Sequence, residues 1–368
     1  MASLRTEITE IVTGLGMLGL ASVDEALATR PAQMVGVGDR HYDKLIAARA
    51  AGEHGLQFDE AWANGVAFAA ADEGLRDRVP RRVEWKGPHQ APAYEQVPAD
   101  LRVDHVYLVS CKYGSRLLHN VSPAHLFERL LAVRQVDKPG NWYARVAPNE
   151  YQALYRAARE HLVGQGAGEG RGGGHGLGAG EGRGGGDRGH GQGAGFEDLP
   201  PTVTDLDTDL YKRLKEPFSR RWPDSLVEPA RWFSVAVSQA SAERWLAALG
   251  SRATRREEAL WRLLRLQPAP YFVLGTDHRR RPVRYRVGTP WDFRRQYEFK
   301  SFDVWPEARV QPVVCWRADL IVRATGTPVH VDGHVEVRWS HGRFQGSPEA
   351  KVYLKTAHLE TPGYTELS

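Results

Sequence analysis

The feature that most limits how this chain can fold is a glycine-rich segment at residues 164–195. It holds 18 of the 38 glycines in a chain of 368 residues, and the motif GAGEGRGGG occurs in it twice, at 166–174 and at 178–186. Glycine at this density supplies no side chains for a core and loses much conformational entropy in a helix. The sequence therefore predicts a flexible linker between two folded parts, 1–163 and 196–368.

The composition is that of a folded protein with room for two domains. Hydrophobic residues make up 42% of the chain, and 11 tryptophans add large side chains for a core. The formal net charge is +4, a mild excess that suits a polyanionic partner without requiring one. Charge alone therefore excludes neither a nucleic-acid-binding protein nor an ordinary globular domain.

Cysteine use and the first residues indicate a reducing compartment. Cys111 and Cys315 are far apart and neither belongs to a Cys-x-x-Cys pair, which argues against a zinc ribbon and against a disulfide framework. The first apolar run is short and follows Glu7 and Glu10, unlike a signal peptide, and no later stretch is long enough to cross a membrane. We therefore expect a cytoplasmic protein without a membrane partner.

Helix and strand patterns alternate in the part before the glycine-rich segment. An apolar stripe predicts a helix over 58–76, and a run of branched and aromatic residues predicts a strand over 103–113. A short strand is expected at 81–87, and Ser-Pro at 122–123 is a strong helix start. These patterns predict an α/β or α+β domain with a mixed sheet flanked by helices.

The part after the glycine-rich segment changes character once. Helical spacing runs through 241–266, with a break expected near Gly250. From Tyr271 onward, short β segments alternate with tight turns. This order predicts an α+β domain with a mostly antiparallel sheet.

The most informative residues stand at the end of the strand predicted at 103–113. Lys112 shares a strand face with Ser110, and a lysine at this place is unusual because burying an unpaired ammonium is costly. A fixed cation there could orient an attacking water or stabilise a phosphorane-like transition state. The alternative is that Lys112 leaves the strand into solvent.

A strand ending in Ser-Cys-Lys, with acidic residues before it and a helix after it, resembles the core of the PD-(D/E)XK nuclease superfamily over residues 58–135. The resemblance implies a phosphodiesterase that uses one or two Mg²⁺ ions. It makes Lys112 the motif lysine, places Ser110 at the acidic motif position, and turns the carbonyl of Cys111 toward the metal. Glu73 would match a glutamate of the preceding helix. Ser110 departs from the pattern because it is not a carboxylate.

The remaining acidic ligand is left open by the sequence. Asp104 stands eight residues before Lys112 on the predicted strand, roughly 26 Å away, too far to share a metal with it. Glu84 fits better if 81–87 pairs antiparallel with 104–112, because it would then lie opposite Ser110 or Cys111. The candidate catalytic residues are thus Lys112, Glu84 and Ser110, and the candidate metal ligands are Glu73, Glu84, Asp100 and Asp104.

The second part carries a basic and aromatic pattern. HRRRPVRYRVG at 278–288 holds five arginines, and EVRWSHGRF at 336–344 places arginine and tryptophan around a Ser-His-Gly turn. Such residues grip phosphates and stack on bases, and could build a pocket for a flipped base. The alternative is a tryptophan core with a solvated basic rim. The candidate nucleic-acid-binding residues are Arg281, Arg284, Arg286, Arg338, Trp339 and Arg343.

Three functions follow from these patterns. The first is a metal-dependent endonuclease acting on DNA, with RNA as the alternative substrate, which would suit restriction or phage defence by analogy. The second is a non-catalytic nucleic-acid-binding protein with a degenerate nuclease fold, and the third is a protein-interaction component of a larger complex. Mg²⁺ is the expected cofactor of the first, and a homodimer is left open.

Overall fold

The computed structural model of the chain describes most of its residues, and its helices lie before and between the strands. None of the described helices is long and apolar enough to cross a membrane. The described residues are 3–87, 99–114, 117–132, 140–169, 196–218, 221–307, 309, 311–340, 342–344 and 347–368.

Twelve α-helical segments occur in the described residues, and a π-helical segment, Ile8–Val12, connects the first two into one continuous helix. Two short 3₁₀ turns, Val203–Asp205 and His358–Glu360, complete the helical structure of the described chain. The α-helices are α1 Leu4–Glu7, α2 Thr13–Leu15, α3 Val23–Thr29, α4 Asp39–Ala50, α5 Gly55–Ala70, α6 Pro123–Phe127, α7 Trp142–Val146, α8 Pro148–Glu169, α9 Thr208–Lys215, α10 Asp224–Leu249, α11 Ala253–Leu263 and α12 Pro290–Gln296.

The strands form two sheets. The first, sheet A, is mixed. The pair β1–β2 at one edge and the central pair β4–β6 are parallel, and all other neighbouring strands are antiparallel. In spatial order it contains β1 Met34–Val35, β2 Val83–Trp85, β3 Leu101–Val103, β4 Tyr107–Tyr113, β6 Tyr271–Thr276, β7 Pro282–Val287 and β12 Tyr364–Glu366.

The second sheet, sheet B, is antiparallel throughout. Helix α10 packs against it, with Trp245 touching Phe302 at a ring distance of 5.9 Å. In spatial order it contains β5 Leu117–Val121, β11 Pro348–Leu354, β10 Pro328–Trp339, β9 Val313–Val322 and β8 Tyr297–Glu307. The predicted combination of a mixed sheet with helices and an antiparallel sheet with helices is confirmed.

The boundary read from the glycine-rich segment does not separate the sheets. Sheet A pairs β4 with β6, and sheet B pairs β5 with β11, so each sheet takes strands from both sides of that segment. Helix α8 also runs past residue 164 and ends at Glu169. The rest of the predicted linker, 170–195, lies outside the described residues.

Strand β4 lies between two cores because its side chains alternate. Val109 and Cys111 belong to the core under the first helices, together with Ile8. Ser110 and Lys112 point to the opposite face, as the strand period of two requires. Ser110 and Lys112 therefore share one side of sheet A, the side away from the first helices.

Candidate functional site

The candidate site begins in the hairpin formed by β3 and β4. Leu101 pairs with Val109, so the antiparallel register brings Asp100 opposite Ser110. A carboxylate oxygen of Asp100 accepts hydrogen bonds from the backbone N–H of Cys111 at 2.6 Å and from the hydroxyl of Ser110 at 3.3 Å. These bonds fix the Asp100 carboxylate beside the Ser-Cys-Lys sequence.

Lys112 lies where β4 runs parallel to β6. It pairs with Gly275, and a Cβ atom at that glycine would lie 2.1 Å from the carbonyl oxygen of Lys112, so only glycine allows this approach. Lys112, Ser110 and Arg265 help to line a cavity of about 20 Å³. Since a water needs roughly 10–15 Å³, this cavity has room for one.

Glu10 contributes the second carboxylate of the site. It lies in the π-helical segment Ile8–Val12, and π-helical segments often occur at functional sites. Its carboxylate accepts a hydrogen bond from the indole N–H of Trp85 at 2.7 Å. Burial, followed by the charge of Asp100, raises the pKa of Glu10 to about 7, whereas Lys112 acts in the opposite direction. Glu10, Asp100 and Lys112 therefore interact electrostatically.

The ammonium of Lys112 is influenced by groups of both signs. Burial and then the charge of Arg265 lower its pKa below the usual lysine range, whereas Asp100 and Glu10 raise it. Among the described residues no ion pair joins Lys112 to a carboxylate, so Asp100 and Glu10 act on its charge at longer range. A partly desolvated cation in the field of carboxylates is an arrangement that active sites use to stabilise developing negative charge. The alternative that Lys112 simply leaves the strand into solvent does not fit these surroundings.

Replacing Glu10 by Gln is expected to make stability less dependent on pH. Because the pKa of Glu10 rises from 4.5 to about 7 on folding, the folded state loses stability as the pH increases through this window. The Glu10→Gln variant should therefore gain up to about 3 kcal/mol of unfolding free energy over wild type at pH 8, and almost none at pH 4. Urea unfolding across this range measures the difference.

The control for this experiment is Glu298→Gln. The side chain of Glu298 is 44% exposed and pairs with Lys300 at 2.5 Å, and this ion pair lowers the pKa of its carboxyl. The effect of Glu298→Gln should therefore stay constant between pH 5 and 8. A Glu10→Gln effect that is equally flat over this window would contradict a partly buried carboxylate with a raised pKa.

Glu84 does not lie opposite Ser110 or Cys111. Strand β2 pairs with β3 rather than with β4, so Glu84 faces Arg102. It accepts hydrogen bonds from the guanidinium groups of Arg102 and Arg82, and these charges keep the pKa of its carboxyl low. Its prediction as a catalytic residue depended on a strand pairing that does not form.

Glu73 and Asp104 also have other partners. Helix α5 ends at Ala70, so Glu73 is not on its buried face as expected, and it binds the N–H and hydroxyl of Ser368 at 3.1 and 3.0 Å. Asp104 stands in the turn before β4 with a φ of 47° and binds Arg78 at 2.5 Å. Of the four predicted metal ligands, Asp100 alone lies beside Ser110 and Lys112.

The donor set of the site is small. In the described part of the chain, no group of three or more His, Cys, Asp and Glu side chains is placed to hold a metal ion. The site has two carboxylates, Glu10 and Asp100, which interact through their charges. Mg²⁺ is commonly bound through one or two carboxylates, with waters and substrate phosphates as its other ligands. A magnesium site of that kind would need no more carboxylates than these two.

The six predicted nucleic-acid-binding residues fall into two groups. The first group lies on or near β7 and already has protein partners: Arg281 binds Asp277 at 2.8 Å, and Arg286 binds Asp292 at 3.5 Å. Arg284 is partly buried and donates a hydrogen bond to the side-chain oxygen of Asn64, a buried residue of the protein itself.

The second group converges on one cavity. Arg338, Trp339 and Arg343 line a space of about 350 Å³ at the end of β10, and Trp222 and Tyr143 join them there. The sequence pattern around the Ser-His-Gly turn indicated the first three residues. The two aromatic residues from α7 and from the loop before α10 had no signal in the sequence, because only the fold brings them to this place.

Glu10 is the residue of the candidate site that the sequence interpretation missed. At about 100° per residue it falls opposite Ile8, Val12 and Leu15, which suggests a solvent-facing position. The first helix is instead buried on nearly all sides, so its polar position points into the protein.

No protein-family model, curated protein or solved structure matches the chain.

Proposed function

We propose that this chain is a metal-dependent phosphodiesterase that cuts nucleic acid, with DNA as the first candidate substrate. The observation that carries this proposal is the position of the Asp100 carboxylate, hydrogen-bonded across the β3–β4 hairpin to Ser110 and Cys111. Lys112 follows on the same strand face, and Glu10 interacts with both charges. The nuclease resemblance supports the proposal if Asp100 serves as the upstream acid.

Asp100 and Glu10 are the residues that would hold Mg²⁺. When bound, the ion supplies polarisation of the phosphate and a more acidic water. The two carboxylates raise one another's affinity for a cation, since the charge of Asp100 already opposes ionisation of Glu10. A bound cation would relieve this repulsion, and Glu10 would release its proton.

The proposed reaction adds water across one P–O bond of a phosphodiester, giving a phosphate monoester and an alcohol. Negative charge grows on the phosphoryl oxygens as the water attacks. The Lys112 ammonium would stabilise that charge from a site where solvent screening is weak. Ser110 donates its hydroxyl to Asp100 and so serves to orient that carboxylate rather than to bind the metal itself.

The second candidate function is nucleic-acid binding without cleavage. It is favoured by Ser110, which supplies no negative charge at the position where the resemblance implies an acid. The Asp100 oxygen that accepts the N–H of Cys111 and the hydroxyl of Ser110 also has less capacity left for a metal. A cleavage assay separates these two functions.

The experiment is a cleavage assay with the full chain. End-labelled duplex DNA, with and without modified bases, single-stranded DNA and RNA are each incubated with the protein in Mg²⁺ or in EDTA. The proposal predicts new ends on at least one substrate in Mg²⁺ and none in EDTA. If every substrate stays intact while the protein still binds nucleic acid in a salt-dependent way, the proposal fails and the non-catalytic function replaces it.

A further inference from the structure

The cavity at the end of β10, here called the aromatic cavity, has four aromatic rings in its walls. It measures about 350 Å³, within the range of roughly 300–1,000 Å³ typical of small-molecule sites. Trp339 stacks on Phe233 with ring centres 5.7 Å apart, and Tyr143 meets both rings edge-on at 4.9 Å. Trp222 forms another part of the lining. These rings hold one another in fixed orientations.

The polar lining of the aromatic cavity is positively charged. The guanidinium of Arg343 lies over the Trp222 ring at 4.3 Å and donates to the carbonyl oxygen of Phe218. Burial lowers the pKa of Arg343, and within the described chain no carboxylate forms an ion pair with it. Arg338 forms a long ion pair with Glu336, at 3.9 Å. No aspartate or glutamate is among the described residues that line the cavity.

These features select one class of ligand. A cationic ligand would be repelled by Arg338 and Arg343, and the tryptophan face that it would need is already covered by the guanidinium of Arg343. An uncharged apolar ligand would leave that half-buried arginine without a counter-ion. A planar ring system that carries a negative group satisfies both the aromatic walls and the arginines.

We infer that the aromatic cavity binds a single unstacked nucleotide, with its base against the aromatic walls and its phosphate at Arg343. Base–aromatic stacking contributes about 1–3 kcal/mol in nucleic-acid-binding proteins, and arginine suits the phosphate because it donates two parallel hydrogen bonds. The inference rests on the proposed function, since it makes this nucleotide part of the target strand. It is tested without cleavage, however, because free mononucleotides can serve as the probe.

The experiment is calorimetric titration of the full chain with individual 5′-mononucleotides. The panel contains the four deoxynucleotides, 5-methyl-dCMP and N6-methyl-dAMP, and the corresponding nucleosides report the contribution of the phosphate. The variants are Arg343→Lys, which keeps the charge but loses the planar fork, and Arg338→Ala at the partly exposed rim. The matched control is Arg295→Ala, since Arg295 also lies over a tryptophan, Trp291 at 4.7 Å, but outside the cavity.

At least one mononucleotide should bind wild type, and its nucleoside should bind about tenfold more weakly or worse. Arg343→Lys and Arg338→Ala should each weaken the mononucleotide about tenfold, whereas Arg295→Ala should not change it. No binding of any mononucleotide to wild type, or equal losses in Arg343→Lys and Arg295→Ala, would overturn the inference. Binding without any cleavage would count against the phosphodiesterase alone, and cleavage without binding against the cavity alone.

Discussion

The Lys112→Met variant is expected to lose Mg²⁺-dependent cleavage by about 10²–10³-fold, the usual effect of removing one group that stabilises transition-state charge. Methionine keeps the apolar stem of the side chain and removes only the ammonium. Burial disfavours the charged form of Lys112 in the folded state, so the substitution should leave thermal stability unchanged or raise it. Single-turnover cleavage and thermal unfolding of the same preparations measure the two effects.

Lys300→Met is the matched control for this prediction. Lys300 belongs to a similar short sequence, Glu298-Phe299-Lys300, but its ammonium is exposed and pairs with Glu298 at 2.5 Å. Cleavage by Lys300→Met should therefore equal that of wild type. If the Lys112 and Lys300 variants cut at the same rate, Lys112 is a structural residue and has no part in the reaction.

The Asp100→Asn variant is expected to lose more cleavage activity than Lys112→Met. It removes one of the two carboxylates that would hold Mg²⁺, and a catalytic metal contributes several kcal/mol of transition-state stabilisation, or at least about 10³-fold in rate. The amide oxygen of asparagine can still accept the N–H of Cys111, so the hairpin should keep its geometry. Raising the Mg²⁺ concentration should restore little of the activity.

Asp104→Asn is the matched control for Asp100. Asp104 stands in the same hairpin, four residues further on, where it binds Arg78 and accepts the N–H groups of Arg81 and Arg82 at 2.8 and 3.0 Å. Its replacement should lower stability while the rate of cleavage at saturating Mg²⁺ stays within about twofold of wild type. Equal rate losses in the two variants would mean that the hairpin, and not the Asp100 carboxylate, matters for cleavage.

The sequence predicted the strand that carries the site but not the strand that completes it. The apolar run before Lys112 and the Ser122–Pro123 helix start were local signals, and both elements form in part. A turn at 104–106 divides the strand predicted over 103–113, and helix α6 ends at Phe127. The choice of Glu84 depended on which strands pair, a long-range property. The chain inserts β3 between β2 and β4, and Asp100, already among the candidates, takes the position assigned to Glu84.

Glu10 shows a different limit of sequence interpretation. A glutamate on a short amphipathic helix is usually solvated, and the helical period placed it away from the apolar stripe. Its burial results from packing of the whole first helix under sheet A and from the indole of Trp85, a residue 75 positions later. The period alone gives no information about such contacts.

The sequence indicated only some of the residues that line the aromatic cavity. Arg338, Trp339 and Arg343 are close together along the chain, so the pattern EVRWSHGRF indicated a local cluster. Trp222 and Tyr143 come from distant segments and join only through the fold. On and just before β7 the arginine pattern was equally suggestive, yet Arg281 and Arg286 pair with acidic neighbours. A run of arginines can be assigned to a ligand only after the structure shows which of them already pair with acidic residues of the protein.

Calorimetric titration of Mg²⁺ into the full chain tests the central claim most directly, because it needs no knowledge of the substrate. Near pH 7, wild type should bind the ion with a heat that depends on the ionisation enthalpy of the buffer, because Glu10, with its pKa of about 7, gives up a proton as the metal binds. Asp100→Asn should bind no Mg²⁺ in the same range, and Glu10→Gln should show no proton release. The absence of Mg²⁺ binding by wild type, or an unchanged titration with Asp100→Asn, would contradict a metal site at Asp100 and Glu10.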